Sequence, residues 1–141
     1  MAEIETSQVN MDDVEGVVAE AGYDASIVGE GILRIRDLDS GISIQAALEE
    51  NVLFMTVSCM VVSEETITAD VMRKMLDADN GISTSSFQLY KRDNGQVAVT
   101  LNNFCKLQAM GPDDQDDILS CIEFLIVDCI AASQQFGKLN S

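Results

Sequence analysis

The chain contains no histidine and no tryptophan, one proline, and only eight basic residues in 141. The lack of histidine and the shortage of basic residues each remove a class of function. Without histidine, Ser-His-Asp and Cys-His nucleophile systems are impossible within one chain. The imidazole-based metal sites go with them. The four cysteines, Cys59, Cys105, Cys121 and Cys129, form no C-x-x-C pair, which excludes zinc ribbons and thioredoxin-type motifs. Glycines stand singly, with neither the dinucleotide-binding nor the P-loop spacing, so nucleotide binding has no support. Scarce lysine and arginine leave nothing to neutralise a phosphate backbone, and the net charge of −16 repels nucleic acid and anionic lipid. The longest apolar stretch, Val52 to Val62, is interrupted by Thr56 and Ser58 and is too short to span a bilayer. Glu3 and Glu5 stand where an export signal carries positive charge. The reading is an acidic cytoplasmic protein with no cofactor, no nucleic-acid partner and no membrane insertion.

What is present is a chain that can fold. Its hydrophobic fraction is 47%, well above that of a disordered segment. Residues 1–9 read as a flexible N-terminus, 10–137 as a single α+β domain and 138–141 as a flexible C-terminus.

Asn10 caps a first helix carrying Val14, Val17, Val18 and Ala21, with Gly22 ending the run. Gly29 and Gly31 punctuate a loop. Ile32 to Arg36 alternates, with Leu33 and Ile35 on one face and Arg34 and Arg36 on the other. After the turn Asp39-Ser40-Gly41, alternation resumes at Ile42, Ile44, Ala46 and Leu48. Past Glu49-Glu50-Asn51, Val52 to Val62 is apolar on both faces, as expected of a central strand covered on each side. Thr68 caps a second helix with Val71, Met72, Met75 and Leu76, which stops near Asn80-Gly81. Ser86 to Lys91 is a fourth strand. Asp93-Asn94-Gly95 marks a hairpin into the fifth, carrying Val97, Val99 and Leu101. Gly111-Pro112 breaks the chain before a long last helix, whose aspartates at 113, 114, 116 and 117 suit a positive helix start. Its apolar positions, from Ile118 to Phe136, are wider than one stripe, so it lies deep against the sheet or meets a second partner as well. The order is α-β-β-β-α-β-β-α, with a five-stranded antiparallel sheet packed by helices.

Two segments imitate calcium loops, Asp37 to Gly41 and Asp77 to Gly81. In both, glycine stands fifth where an EF-hand needs it sixth, and position twelve is Leu48 or Gln88 instead of glutamate. Turn chemistry explains them. Cys121 and Cys129 are eight residues apart, two helical turns, too far for a disulfide, and all four thiols read as reduced and apolar in setting. Carboxylate pairs are many, but none is singled out, so no catalytic residues are assigned.

Two features could carry binding. Methionines at 55, 60, 72, 75 and 110 lie in or beside elements, and methionine adapts to varied partners. Arg34 and Arg36 make a local basic spot in an acidic chain, suited to orienting an acidic segment. The candidate partner-binding residues are therefore Arg34, Arg36, Met72 and Met75. The alternative function is a cation- or small-molecule-responsive regulator using the acidic clusters.

The element order, small size and acidity resemble the type III secretion chaperone-like fold, which includes the YbjN-like proteins. The stretch from Met72-Arg-Lys-Met-Leu to Ser83-Thr-Ser-Ser-Phe87-Gln-Leu-Tyr90 is similar to the bacterial YjfI family, whose domain has no assigned function. The likeness covers roughly Ile42 to Ser133. It implies a non-enzymatic module, chaperone-like or a regulatory adaptor, that forms a homodimer, binds a protein partner and keeps company with phage-shock-type membrane-stress proteins. The family carries no catalytic residues to transfer.

Overall fold

The computed structural model describes residues 9–140. In it, three α-helices and six strands follow one another: α1 (Met11–Glu20), β1 (Asp24–Val28), β2 (Ile32–Arg36), β3 (Ser43–Glu49), β4 (Val52–Ser63), α2 (Ala69–Leu76), β5 (Ser86–Lys91), β6 (Gln96–Lys106) and α3 (Pro112–Phe136). The sheet is antiparallel and has six strands in the order β1-β2-β3-β4-β6-β5. The architecture is α+β as the sequence implies, with one strand more than expected. The extra strand is β1, read from sequence as part of a glycine-punctuated loop. Its residues, Asp-Ala-Ser-Ile-Val, alternate only over the four positions Asp24 to Ile27, and none is fully buried, as suits an edge strand, so the pattern is too short and too weak to stand out from a loop.

The turns follow from local chemistry. Asn10 accepts a hydrogen bond from the Asp13 amide at 3.0 Å and so caps α1. Asp37 closes the β2–β3 turn by accepting from the Ser40 amide and hydroxyl, at 3.1 and 2.6 Å. Glu50 and Asn51 both have positive φ, 51° and 67°, which is the two-residue hairpin geometry that suits sheet twist. Between β5 and β6, Gly95 takes a φ of 76° and the Arg92 amide donates to the Gln96 carbonyl.

Contacts divide the chain into two compact units, Met1–Met55 with Phe104–Glu123, and Thr56–Asn103 with Phe124–Ser141. In the first, Val14 and Val18 of α1 are buried with Leu33, Ile35, Ile44, Ala46, Leu53 and Met55 from the strands. Ile118 and Ile122 of α3 are fully buried there too. The carboxylate of buried Asp114 accepts from the amides of Gln108 and Met110, at 2.6 and 2.8 Å, and ties down the loop before α3. Val9, expected with the flexible N-terminus, is buried, and its amide donates to Asn51 Oδ1 at 2.8 Å. The remainder of that terminus, 1–8, lies outside the described residues.

In the second unit, Met60, Val62, Met75, Val99 and Phe136 form a core cluster, with Cys59, Ile67, Val71, Phe87 and Leu139 packed on it. Phe87 meets Phe136 edge to face at 5.5 Å. Leu139 belongs to a 3-10 turn, Gly137–Asn140, that extends α3. Along β4 the buried positions change from odd (Leu53, Met55, Val57) to even (Met60, Val62), the phase shift a β-bulge produces. β4 is central, but the expectation that both its faces are covered is corrected: Phe54 and Ser58 are exposed. Phe54 instead pairs with exposed Phe104 at 6.1 Å, so its aromatic area is shared with one neighbour on the outward face.

Candidate functional site

An apolar cleft opens between α2 and β5 in the second unit. Its lining is Met72, Met75 and Leu76 from the helix and Phe87, Gln88 and Leu89 from the strand, around a volume of about 240 Å³. A shallower depression of about 550 Å³ runs along the outer side of α2, lined by Ala69, Met72, Arg73, Leu76 and Asp77. Met72 and Leu76 are common to both, so they form the ridge between them.

The helix is built to present this ridge. Thr68 Oγ1 accepts from the Val71 amide at 3.2 Å and caps the first turn, where Asp70 suits the positive end. Arg73 and Lys74 suit the negative end in the last turn. Val71 and Met75, four residues apart, face the core. Met72 and Leu76, one position later, repeat the spacing on the outward side, where Leu76 is 80% exposed and Met72 40%. An eight-residue helix with apolar residues on two sides has more apolar surface than its own core can cover.

The far wall is β5, the last strand in the sheet order, with β6 on one side only. Alternate backbone N–H and C=O groups of an edge strand point away from the sheet. Phe87 and Leu89 share a face of β5 through the two-residue period, opposite Leu101 and Val99 of β6. Phe87 is anchored in the core and Leu89 is left half open.

The segment joining the two walls is fixed by polar contacts. Asn80 Nδ2 donates to the Met75 carbonyl at 2.6 Å and its Oδ1 accepts from the Ile82 amide at 3.0 Å. Asp128 of α3, only 1% exposed, receives the Ser83 amide at 2.8 Å, the Ser83 hydroxyl at 2.8 and 3.0 Å, and the Ser85 amide at 3.2 Å. Burial alone would raise the Asp128 carboxyl, but the Ser83 and Ser85 donors outweigh it and hold it below the ordinary carboxylate range. The entry into β5 thus hangs on a charge carried by another element.

Of the four residues singled out from sequence, Met72 and Met75 line this cleft together. Met75 is 3% exposed, so it forms the floor and belongs mainly to the core, while Met72 is accessible. Arg34 and Arg36 lie in the other unit, on the exposed face of β2, opposite Ser26 and Asp24 on β1 and Gln45 and Ser43 on β3. Leu76, Leu89 and Asp128 were missed. Leu76 had a signal, its four-residue offset from Met72. Asp128 had a stronger one, as the lone acid in Phe124-Leu-Ile-Val-Asp128-Cys-Ile-Ala. Of the other methionines, Met55 and Met60 are core residues.

The cysteines form cross-element contacts that the sequence did not reveal. Cys59 of β4 lies against Cys129 of α3, and Cys105 of β6 against Cys121 of α3. All four thiols are free. The thiol hydrogen bond, then burial, push Cys59 and Cys105 well above the usual thiol range. No helix of the described residues is long and apolar enough to cross a membrane.

No family model and no curated protein matches the chain. Among solved structures, the fold is similar to that of YbjN from E. coli, described as a candidate transcription regulator. The two share a TM-score of 0.67 at 12% identity, over 93% of this chain and 97% of that one. The likeness identifies a YbjN-like fold, in agreement with the architecture read from the element order.

Proposed function

We propose that this protein is a non-enzymatic interaction module, a chaperone-like or regulatory adaptor, whose α2–β5 cleft takes an extended segment of a protein partner. The observation that carries the reading is the free edge of β5 beside an apolar cleft whose rim residue, Leu76, is 80% exposed. An added strand satisfies the outward N–H and C=O groups of β5, and every second side chain of that strand points at Met72, Leu76 and Leu89. Full burial of a leucine- or methionine-sized side chain contributes about 1.5–3 kcal/mol. Ordering the segment opposes this, so a short peptide binds in the micromolar range and a longer partner more tightly. The stretch from Met72 to Tyr90, on which the resemblance to the YjfI family rests, contains the residues of both cleft walls, and this supports the reading. A role beside membrane-stress proteins belongs to the same resemblance.

The test uses a library of short peptides with alternating apolar residues, read by fluorescence anisotropy. Binders should lose affinity at least about tenfold, or 1.4 kcal/mol, against Met72→Asp or Leu76→Asp protein. N-methylation of alternate peptide amides should abolish binding in one register and spare it in the other. Binding unaffected by both substitutions would remove the cleft from the account.

A further inference from the structure

All four cysteines of the chain meet in two contacts, each between a strand and α3 and each within one of the two units. In the second unit, Cys59 of β4 packs on the core cluster that contains Phe136, and its thiol hydrogen-bonds to that of Cys129. In the first, the Cys105 thiol of β6 hydrogen-bonds to that of Cys121. Cys121 and Cys129 are each 6% exposed, whereas Cys59 and Cys105 are half-buried. A buried thiol behaves as a small apolar group and packs as well beside valine or alanine as beside sulfur. Packing alone therefore gives no reason for every cysteine to have another cysteine as its partner. Contact between two sulfurs on separate elements is what a disulfide needs, since the bond forms at about 2.05 Å and only where the side chains already face each other. Along α3, Cys121 and Cys129 are about 12 Å apart, so the two pairs do not exchange partners through the helix.

We propose that each pair is a disulfide-forming site, oxidised by a hydroperoxide, and that the two bonds tie α3 to β4 in one unit and to β6 in the other. The roles within a pair are unequal. The S–H of Cys59 donates to Cys129, and that of Cys105 to Cys121. These hydrogen bonds hold Cys129 and Cys121 below the ordinary thiol range, although burial opposes them at both and Asp117 opposes them at Cys121. Ser133 adds a second hydrogen bond at Cys129. Around the donors, Asp128 near Cys59 and Asp114 and Asp117 near Cys105 discourage ionisation further. The thiolate is the nucleophile, so Cys129 and Cys121 react first. Cys129 Sγ attacks one peroxide oxygen, the O–O bond breaks, and the departing hydroxide takes the Cys59 proton to become water. Cys59 Sγ then attacks the sulfenic sulfur of Cys129. The S–S bond forms, the S–O bond breaks, and the second hydroxide becomes water with the proton that Cys129 first released. Two thiols lose two electrons and one hydrogen peroxide becomes two waters. The same steps close Cys105 on Cys121. In the unfolded chain these bonds close loops of about 70 and about 16 residues, so oxidation stabilises both units, more through the longer loop.

The experiment treats the full chain, fully reduced beforehand, with a small excess of hydrogen peroxide under native conditions and then alkylates the remaining thiols in guanidinium. Intact mass should show all four thiols consumed and no chain-to-chain product. Peptide mapping without reductant should recover Cys59 joined to Cys129 and Cys105 joined to Cys121, both released by dithiothreitol. The oxidised chain should unfold at a higher denaturant midpoint than the reduced one. Cys59→Ser should leave Cys129 as a sulfenic acid that a cyclic 1,3-diketone captures, while the other pair still closes. Cys129→Ser should slow the oxidation of Cys59 about tenfold or more, because the thiolate that reacts first is gone. If either variant unfolds, the mapping of the wild-type chain decides alone. Four alkylatable thiols, under peroxide that oxidises a free cysteine peptide, would overturn the proposal. Bonds that join any other two cysteines, bonds between chains, or sulfinic acids without a bond would overturn it too. Closure of one pair alone would uphold the assignment for that pair and overturn it for the other.

Discussion

Replacing Asp128 with alanine should unhook the chain between α2 and β5. The carboxylate is buried and accepts two amides and one hydroxyl from Ser83 and Ser85, all at 3.2 Å or less. A hydrogen bond to a charged group is worth about 1.5–3 kcal/mol net, and an orphaned buried donor costs about 1–3 kcal/mol. Water entering the alanine site recovers part of this, and the three donors share one anchor, so their losses do not add fully. The expected cost is about 3–4 kcal/mol for Asp128→Ala and about half that for Asp128→Asn, which keeps one acceptor oxygen. Urea denaturation gives the size through the shift in midpoint at constant slope. Hydrogen exchange gives the place, with faster exchange at Ser83, Ser85 and along β5 than in α1.

The pH dependence carries an independent sign. Because the folded carboxyl lies below its ordinary value, the unfolded chain binds the proton more tightly. The stabilisation from Asp128 is therefore fully present above the unfolded pKa, about 3.9, and is lost as pH falls through the lower folded value. Asp128→Asn should be flatter than wild type in that acid window and parallel to it above pH of about 6. A cost for Asp128→Ala below about 0.5 kcal/mol, within the scatter of ordinary surface changes, would refute the anchoring role.

Other outcomes follow from the same packing. Met75→Ala should cost about 2–5 kcal/mol by thermal or chemical melting, since it empties a core site, whereas Leu76→Ala, one residue on, should stay within about 0.5 kcal/mol and lower only peptide affinity. Gly81 holds a φ of 81°, and an added Cβ there would meet Gln135 Oε1 at 3.4 Å, so Gly81→Ala should destabilise by about 1–2 kcal/mol in a denaturation curve. The raised Cys59 and Cys105 thiols should react with an aromatic disulfide reagent at mildly alkaline pH far more slowly in folded protein than in guanidinium. Fast labelling of either in the native state would contradict their setting.

Much of the architecture was legible because binary patterns matched their elements. Leu33 and Ile35 against Arg34 and Arg36, Asn10 and Thr68 as caps, and Asp93-Asn94-Gly95 as a turn all act through neighbours a few residues away. β1 was not legible, because its alternation runs over only Asp24 to Ile27, with a small alanine as one of its two apolar positions, beside a glycine-rich loop. The open face of β4 was hidden by Phe54, whose apolarity reads as burial although its ring rests against Phe104 on the outside. The division into two units left no mark either, since it cuts through β4, β6 and α3, where no glycine, proline or polar linker is needed. The site was half visible. Met72 and Met75 stood out as methionines, yet only tertiary packing separates the accessible one from the buried one. Asp128 could be seen as anomalous, but its partners, 43 and 45 residues away, could not be named from spacing.

We propose that an extended segment adds to β5 beside α2, and this can be seen directly in solution. The most direct measurement is a backbone amide NMR titration of the wild-type chain with a peptide selected from the alternating-apolar library. Shifts should concentrate at Phe87 to Lys91 and Met72 to Leu76, with new slow-exchanging amides along β5, and both should be lost in Leu76→Asp. Shifts centred on β1, on the Phe54–Phe104 face or on α3, with β5 unmoved, would contradict it.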